Sequence, residues 1–228
     1  MTRLRDVDTK GRSNAQRAVE ELRRLIFVGE LSAGSDHLET ELAVRLQMSR
    51  TPVREAALAL EAQGLLEVRP RKGVRILPVS TDDMREIYDV LTELESLAAE
   101  NAAKAGYTSA DLRPLAATIE AMDAALAKND LQAWAQADDQ FHTELVRLGG
   151  NSRIMSIVAM MADQVRRARA TTLYIRPWPS KSNEDHRGVL EAIRSGDAES
   201  ARRIHRAHRA EAKMVLTDLL ERYRLYKL

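Results

Sequence analysis

The chain has 228 residues, 44% hydrophobic and 30% charged, a balance that supports a packed core under a solvated surface and excludes a disordered chain. It contains no cysteine, which excludes disulfides, thiolate zinc sites and cysteine nucleophiles together and suits a reducing cytoplasm. The net charge of +1 is uneven: residues 1–77 carry 14 Lys and Arg against 11 Asp and Glu, the remainder 21 against 23, so a mildly basic front precedes a mildly acidic back.

Ser13 to Val28 reads as a helix capped by Ser13, with Val19, Leu22, Leu25 and Ile26 on one face and Gly29 as its stop. Leu31 to Asp36 reads as a loop. Glu39 to Leu46 fits a short helix that turns Leu42, Ala43 and Leu46 inward. After the turn Gln47-Met48-Ser49, Ser49 is expected to cap a helix running to about Gln63, with Pro52 in its first turn, where a missing N–H costs nothing. Val53, Ala56, Ala57 and Leu60 are its packing face, and Gly64 its stop. The period then changes. Residues 65–68 and 74–77 alternate like strands around the basic turn Arg69-Pro70-Arg71-Lys72-Gly73, which makes a wing behind a helix-turn-helix.

Pro78 marks a boundary, and Ser80-x-x-Asp83 resembles a capping box. Met84, Ile87, Leu91, Leu94 and Ala98 form a helical stripe. Further helices fit about 109–128, 131–148, 152–172, 182–195 and 198–226, separated by Gly106, Asn129-Asp130, Gly149-Gly150-Asn151, Arg176 to Pro179 and Gly196. The chain is thus expected to be mainly α: a winged helix-turn-helix over 1–77, a linker over 78–82, and an all-α bundle of about six helices over 83–228. No run of about 18 apolar residues occurs, so no membrane span is expected, and residues 1–10 lack the apolar stretch of a secretory signal.

The second helix of a helix-turn-helix meets bases in the major groove with its N-terminal residues. Here these are Ser49, Arg50, Thr51 and Arg54. Arg50 and Arg54 are four apart and share a face, and Arg suits bidentate contact with guanine. Ser49 and Thr51 can donate to phosphates, and Arg71 and Lys72 of the wing can reach the backbone or a minor groove. Taken alone, an R-x-x-x-R pair is more often two solvated charges; the adjoining turn and basic wing favour the DNA reading.

Asp138 and His142 stand at i and i+4 on one helix, His186 on another, and His205 and His208 on the last. Imidazoles and a carboxylate converging from several helices suit a divalent ion such as zinc, nickel, manganese or iron. By spacing alone, a pair such as Asp138 and His142 is more often a surface pair than half a metal site. His205 and His208, among Arg202, Arg203, Arg206 and Arg209, could be part of a basic face.

The run from Glu39 to Ala56, with Leu60, Gly64-Leu65 and Arg71-Lys72-Gly73-Val74, closely resembles the winged helix of the GntR family. Leu94-Glu95, Asp138-x-x-Phe141-His142, Gly150-Asn151, Glu184-Asp185-His186 and Gly196-Asp197 resemble the FCD effector domain of its FadR subfamily. The resemblance implies a homodimer that binds short inverted repeats of operator DNA and responds to a small metabolite, commonly an organic acid. It implies DNA contacts at Arg50, Thr51, Arg54 and Gly73, and metal ligands at Asp138, His142, His186 and His208. His205 falls where many members have Met and stays outside that set. Thr40 stands where some members have an Arg that touches DNA. Leu91 stands where many have an Arg that pairs with the effector's carboxylate, so either the effector is neutral at that end or another residue, Arg166 or Arg169, replaces it. Trp178, between two prolines, and the stripe Met155, Val158, Met161 and Val165 are expected as core, and the run from Arg166 to Arg169 as largely solvated.

The reading that follows is a ligand-responsive repressor with a metal-centred pocket, not an enzyme. A metal-dependent hydrolase built on the Asp/His cluster is the alternative, but no H-E-x-x-H or evident general base accompanies it. A metal-free regulator whose histidines bind the effector by hydrogen bonds is the third possibility.

Overall fold

The computed structural model describes residues 13–225. The chain falls into two compact units, one ending at Pro78 and the other running from Val79.

In the first unit, α1 (Asn14–Phe27) opens with a complete capping box between Ser13 and Gln16. A two-residue strand, β1 (Asp36–His37), precedes α2 (Glu39–Arg45) and α3 (Arg50–Glu61). β2 (Leu66–Arg69) and β3 (Gly73–Ile76) complete an antiparallel sheet in the order β1-β3-β2. Leu22, Leu42, Val53, Leu60, Leu66 and Val74 are at its apolar centre. α1 and α3 thus bury the faces that the 3.6-residue period marked. β1 lies where the sequence reads as the end of a loop, because two residues cannot show an alternation and their strand geometry comes from pairing with Val74 and Arg75. That pairing also explains Gly73. It holds φ +85°, and a Cβ there would collide with the His37 carbonyl oxygen, so only glycine lets the wing close onto β1.

The second unit holds six helices: α4 (Thr81–Lys104), α5 (Arg113–Ala127), α6 (Leu131–Leu148), α7 (Ser152–Thr172), α8 (Ser180–Ser195) and α9 (Ala198–Arg222). α4 starts at Thr81 behind the expected cap: Ser80 accepts from the Asp83 backbone. One apolar cluster joins α4, α5, α6, α8 and α9 around Ile119, Phe141 and Val189. A second joins the first half of α4 to α7 and α9 around Tyr88, Leu91, Val165 and Leu216. Gly149 ends α6 against α4, where a Cβ would meet Ala98 at 2.7 Å, so the helices carrying the polar centre approach each other closely. No helix among the described residues is long and apolar enough to cross a membrane.

Candidate functional site

α3 presents its apolar side to α1 and leaves its N-terminus in solvent. Pro52, Val53, Ala56 and Ala57 are buried, whereas Ser49, Arg50, Thr51 and Arg54 are exposed. The expected Ser49 cap does not form: Ser49 holds the N-cap position with extended backbone, but its hydroxyl makes no cap hydrogen bond. That leaves the hydroxyl and the first backbone N–H groups of α3 open to an anion. Arg50 lies 3.8 Å from Glu39, with 70% of its side chain exposed. Arg54, and Arg71 and Lys72 on the wing, are exposed and pair with no carboxylate among the described residues. These are solvated cations without structural partners, as a phosphate- or base-contacting face requires.

In the helical unit the polar centre is buried. Asp138 and His142 project from α6, one turn apart, with His142 Nε2 3.6 Å from Asp138 Oδ2. His186 of α8 places Nε2 3.8 Å from Asp138 Oδ1. His208 of α9 stacks on His142, with ring centroids 5.5 Å apart, and lies 4.6 Å from the His186 ring. The four expected ligands therefore come together, each offering one donor atom within 4.8 Å of the others. Phe141 packs on His186 at 4.0 Å between centroids and fixes that ring from behind.

Burial pushes the imidazoles of His142 and His186 well below their ordinary pKa, so both are neutral. Burial alone would raise the Asp138 carboxyl; the Arg169 guanidinium instead holds it well below the usual carboxylate range. Neutral imidazoles and an ionised carboxylate are the protonation states that a metal needs. The hydrogen bonding also fits a cation: Asp138 Oδ1 and both ring nitrogens of His186 are buried without a partner. Buried polar atoms are rarely left so, and a divalent ion there would satisfy Asp138 Oδ1 and one nitrogen of His186.

A second group overlaps the first. Glu95 of α4 sets Oε2 3.0 Å from His142 Nδ1 and 3.5 Å from His205 Nε2, and Ser96 Oγ is 3.3 Å from the other nitrogen of His205. Arg209 lies 3.3 Å from Glu95 Oε1 and 4.7 Å over the Tyr88 ring. This group shares His142 with the first, and its carboxylate is held by Arg209. Its geometry suits support: a carboxylate at Nδ1 favours the tautomer that leaves His142 Nε2 bare.

The first group borders a cavity of about 170 Å³, with Asp138, His142 and His208 in its wall. Arg169 lines it too, nearly buried, with Nη2 2.5 Å from Asp138 Oδ2. The expectation that the run from Arg166 to Arg169 is solvated therefore fails at Arg169, which α7 turns inward. Arg166, the other candidate for the effector, pairs with Asp139 and Asp163 and stands outside this cavity's wall. Leu91 is core, packed with Val165 and Leu216. Trp178, expected as core, is 49% exposed and lines the cavity, because its flanking prolines belong to the connection between α7 and α8. Met155 is likewise exposed, while Val165 is buried as expected.

Sequence reading missed Glu95, His205, Arg209, Tyr88 and Arg176. For Glu95, the available signals were its polar place beside the buried stripe of α4 and its place in the run that resembles the FCD domain. His205, set aside on the family pattern, is fully buried.

Residues 14–76 match the family of bacterial regulatory proteins named gntR, and residues 86–211 match the FCD domain. An uncharacterised HTH-type transcriptional regulator from a ttuE–ttuC′ intergenic region of Agrobacterium vitis is 40% identical over 142 residues, 61% of this chain and 82% of that protein. A second uncharacterised regulator, from Streptomyces ambofaciens, is 31% identical over 88% of this chain and 84% of its own length. A probable D-xylose utilization operon transcriptional repressor of Paenarthrobacter nicotinovorans is 31% identical over 77% and 76%. Among solved structures, E. coli McbR/YncC superposes with a TM-score of 0.72 at 22% identity, over 90% of this chain and 97% of that one, a likeness of fold.

Proposed function

The chain belongs to the GntR family of bacterial transcription regulators, with an FCD effector domain as its second unit, and from that premise we propose that it is a metal-dependent repressor that senses a small organic acid. Its relatives are named as regulators, so the hydrolase alternative is set aside. The observation that carries the proposal is the buried set Asp138, His142, His186 and His208, with orphaned donor atoms, bordering a cavity.

Asp138, His142, His186 and His208 would hold zinc, nickel, manganese or iron. Bound there, such an ion supplies a Lewis-acidic position for a carboxylate oxygen. The protein's own groups do the rest. Phe141 and Glu95 fix the His186 and His142 rings, and Arg169 keeps Asp138 ionised. An acid in the cavity would bear on α6, α8 and α9 at once, and the strain is read out as a change in operator affinity. Ser49, Arg50, Thr51, Arg54, Arg71, Lys72 and Gly73 form the DNA-contacting set. Arg50 and Arg54 read bases, and the others meet phosphates or shape the wing. The working species is a cytoplasmic homodimer on an inverted repeat.

The test combines elemental analysis of the purified protein with chelation. If the ion sits at 1,000 times its dissociation constant, removing it lowers stability by about 4 kcal/mol; unchanged stability and metal content after chelation favour a metal-free sensor. His142→Ala should reduce bound metal and blunt the response to acid while the operator is still bound. Normal metal content in that variant removes His142 from the ligand set.

A further inference from the structure

The cavity wall holds a second polar point that metal coordination leaves unused. Tyr88 of α4 and Arg176, just beyond α7, both line it. Tyr88 is fully enclosed; its hydroxyl stands beside the Arg176 guanidinium, and its own proton has no acceptor. Arg176 donates through Nε to Thr172 Oγ1 at 2.9 Å, while its enclosed Nη2 has none.

The other two guanidiniums of the wall are neutralised. Arg169 pairs with Asp138 and Asp139, and Arg209 with Glu95. The nearby carboxylate of Asp185 is taken by Lys181 and His208. No carboxylate lies within ion-pairing distance of Arg176 among the described residues. Burial, aided by the charge of Arg169, accordingly pulls its pKa down to about 10. A half-buried cation with no carboxylate beside it is poorly compensated. Beside it stands a hydroxyl that can only gain by donating. The Arg176 guanidinium and the Tyr88 hydroxyl, on residues that both line one cavity, describe a seat for an anionic oxygen group.

We propose that the effector carries two anionic ends: a short dicarboxylate with one carboxylate beside the Asp138, His142, His186 and His208 set and the other on Arg176 and Tyr88. This rests on the metal-centred, acid-sensing reading and adds the second charge. The size is of the right order for a short acid, since a cavity of about 150 Å³ holds benzene and this one is about 170 Å³ and opens to solvent. Trp134 and Leu173 in the same wall suit a short aliphatic link between the ends.

The experiment is isothermal titration of the full-length, metal-loaded protein with matched acids: malate against 2-hydroxybutyrate, and succinate against butyrate. The dicarboxylate of at least one pair is expected to bind about tenfold tighter or better, as a charge-assisted contact implies. Arg176→Met should abolish that preference, Arg176→Lys should restore part of it, and the nearly isosteric Tyr88→Phe should weaken it a few-fold. Tyr88→Phe keeps the test decisive if Arg176→Met does not fold. Equal affinities within both pairs, or a preference that survives Arg176→Met and Tyr88→Phe, overturns the proposal. Binding of monocarboxylates alone, lost on His142→Ala, removes the second anion and leaves the metal-centred reading standing. Metal-loaded protein that binds no acid removes both.

Discussion

The arginines of the two units live under opposite rules. On α3 and the wing, Arg54 and Arg71 are solvated and without carboxylate partners, and Arg50 is only loosely held by Glu39. In the helical unit, Arg169 and Arg209 are buried, and each rests against a carboxylate. Water stabilises an exposed guanidinium, so leaving it unpaired costs little and keeps it ready for a polyanion. Inside the protein the same group must be matched, and breaking the match is expensive. Arg176 is half-buried and has no carboxylate to match it among the described residues, and this is why it points to a ligand.

The comparison can be broken most forcefully at Arg169. In chelated protein, Arg169→Met strands the Asp138 carboxylate and should cost about 3–5 kcal/mol in urea denaturation. Adding back zinc should recover part of the loss, since the ion replaces the missing positive charge. A loss under about 1 kcal/mol would mean that the interior tolerates an unmatched charge and that the contrast between the units is false. At the exposed face, Arg54→Ala should leave the melting temperature unchanged and cost about 1–3 kcal/mol of binding to the specific operator, with weaker discrimination at one base step. Equal losses on specific and random duplexes would make Arg54 a phosphate contact. The smallest effects come from two serines in the same N-cap position. Ser13→Ala removes a formed cap and should cost about 1 kcal/mol of stability. Ser49→Ala removes none and should change stability by less than about 0.5 kcal/mol, while lowering affinity for DNA. If Ser49→Ala destabilises as much as Ser13→Ala, the hydroxyl of Ser49 serves the fold.

What could be read in the sequence follows from range. The helix-turn-helix was legible because its signals are local: a 3.6-residue apolar face, a turn, a Pro in the first turn and a Gly stop. The Asp138–His142 pair was legible for the same reason, one helical turn apart on α6. Glu95, His205, Arg209, Tyr88 and Arg176 were not, because three stretches of chain far apart in sequence bring them together and no local period marks them. Arg166 and Arg169 are three apart on one helix, and only the packing of α7 decides that one reaches Asp138 and the other stays outside. Trp178 was misjudged because a large aromatic between prolines looks like filler, whereas the connection holds it half in solvent.

Trp134 and Trp178 are the chain's two tryptophans, and both border the same cavity. One is almost sealed and the other half exposed. Indole emission from the unlabelled protein therefore arises wholly at the pocket wall, and an arriving guest that displaces water from Trp178 should move that emission to the blue. The fold thus carries its own optical gauge of occupancy, readable in a cuvette while the operator is being bound or released.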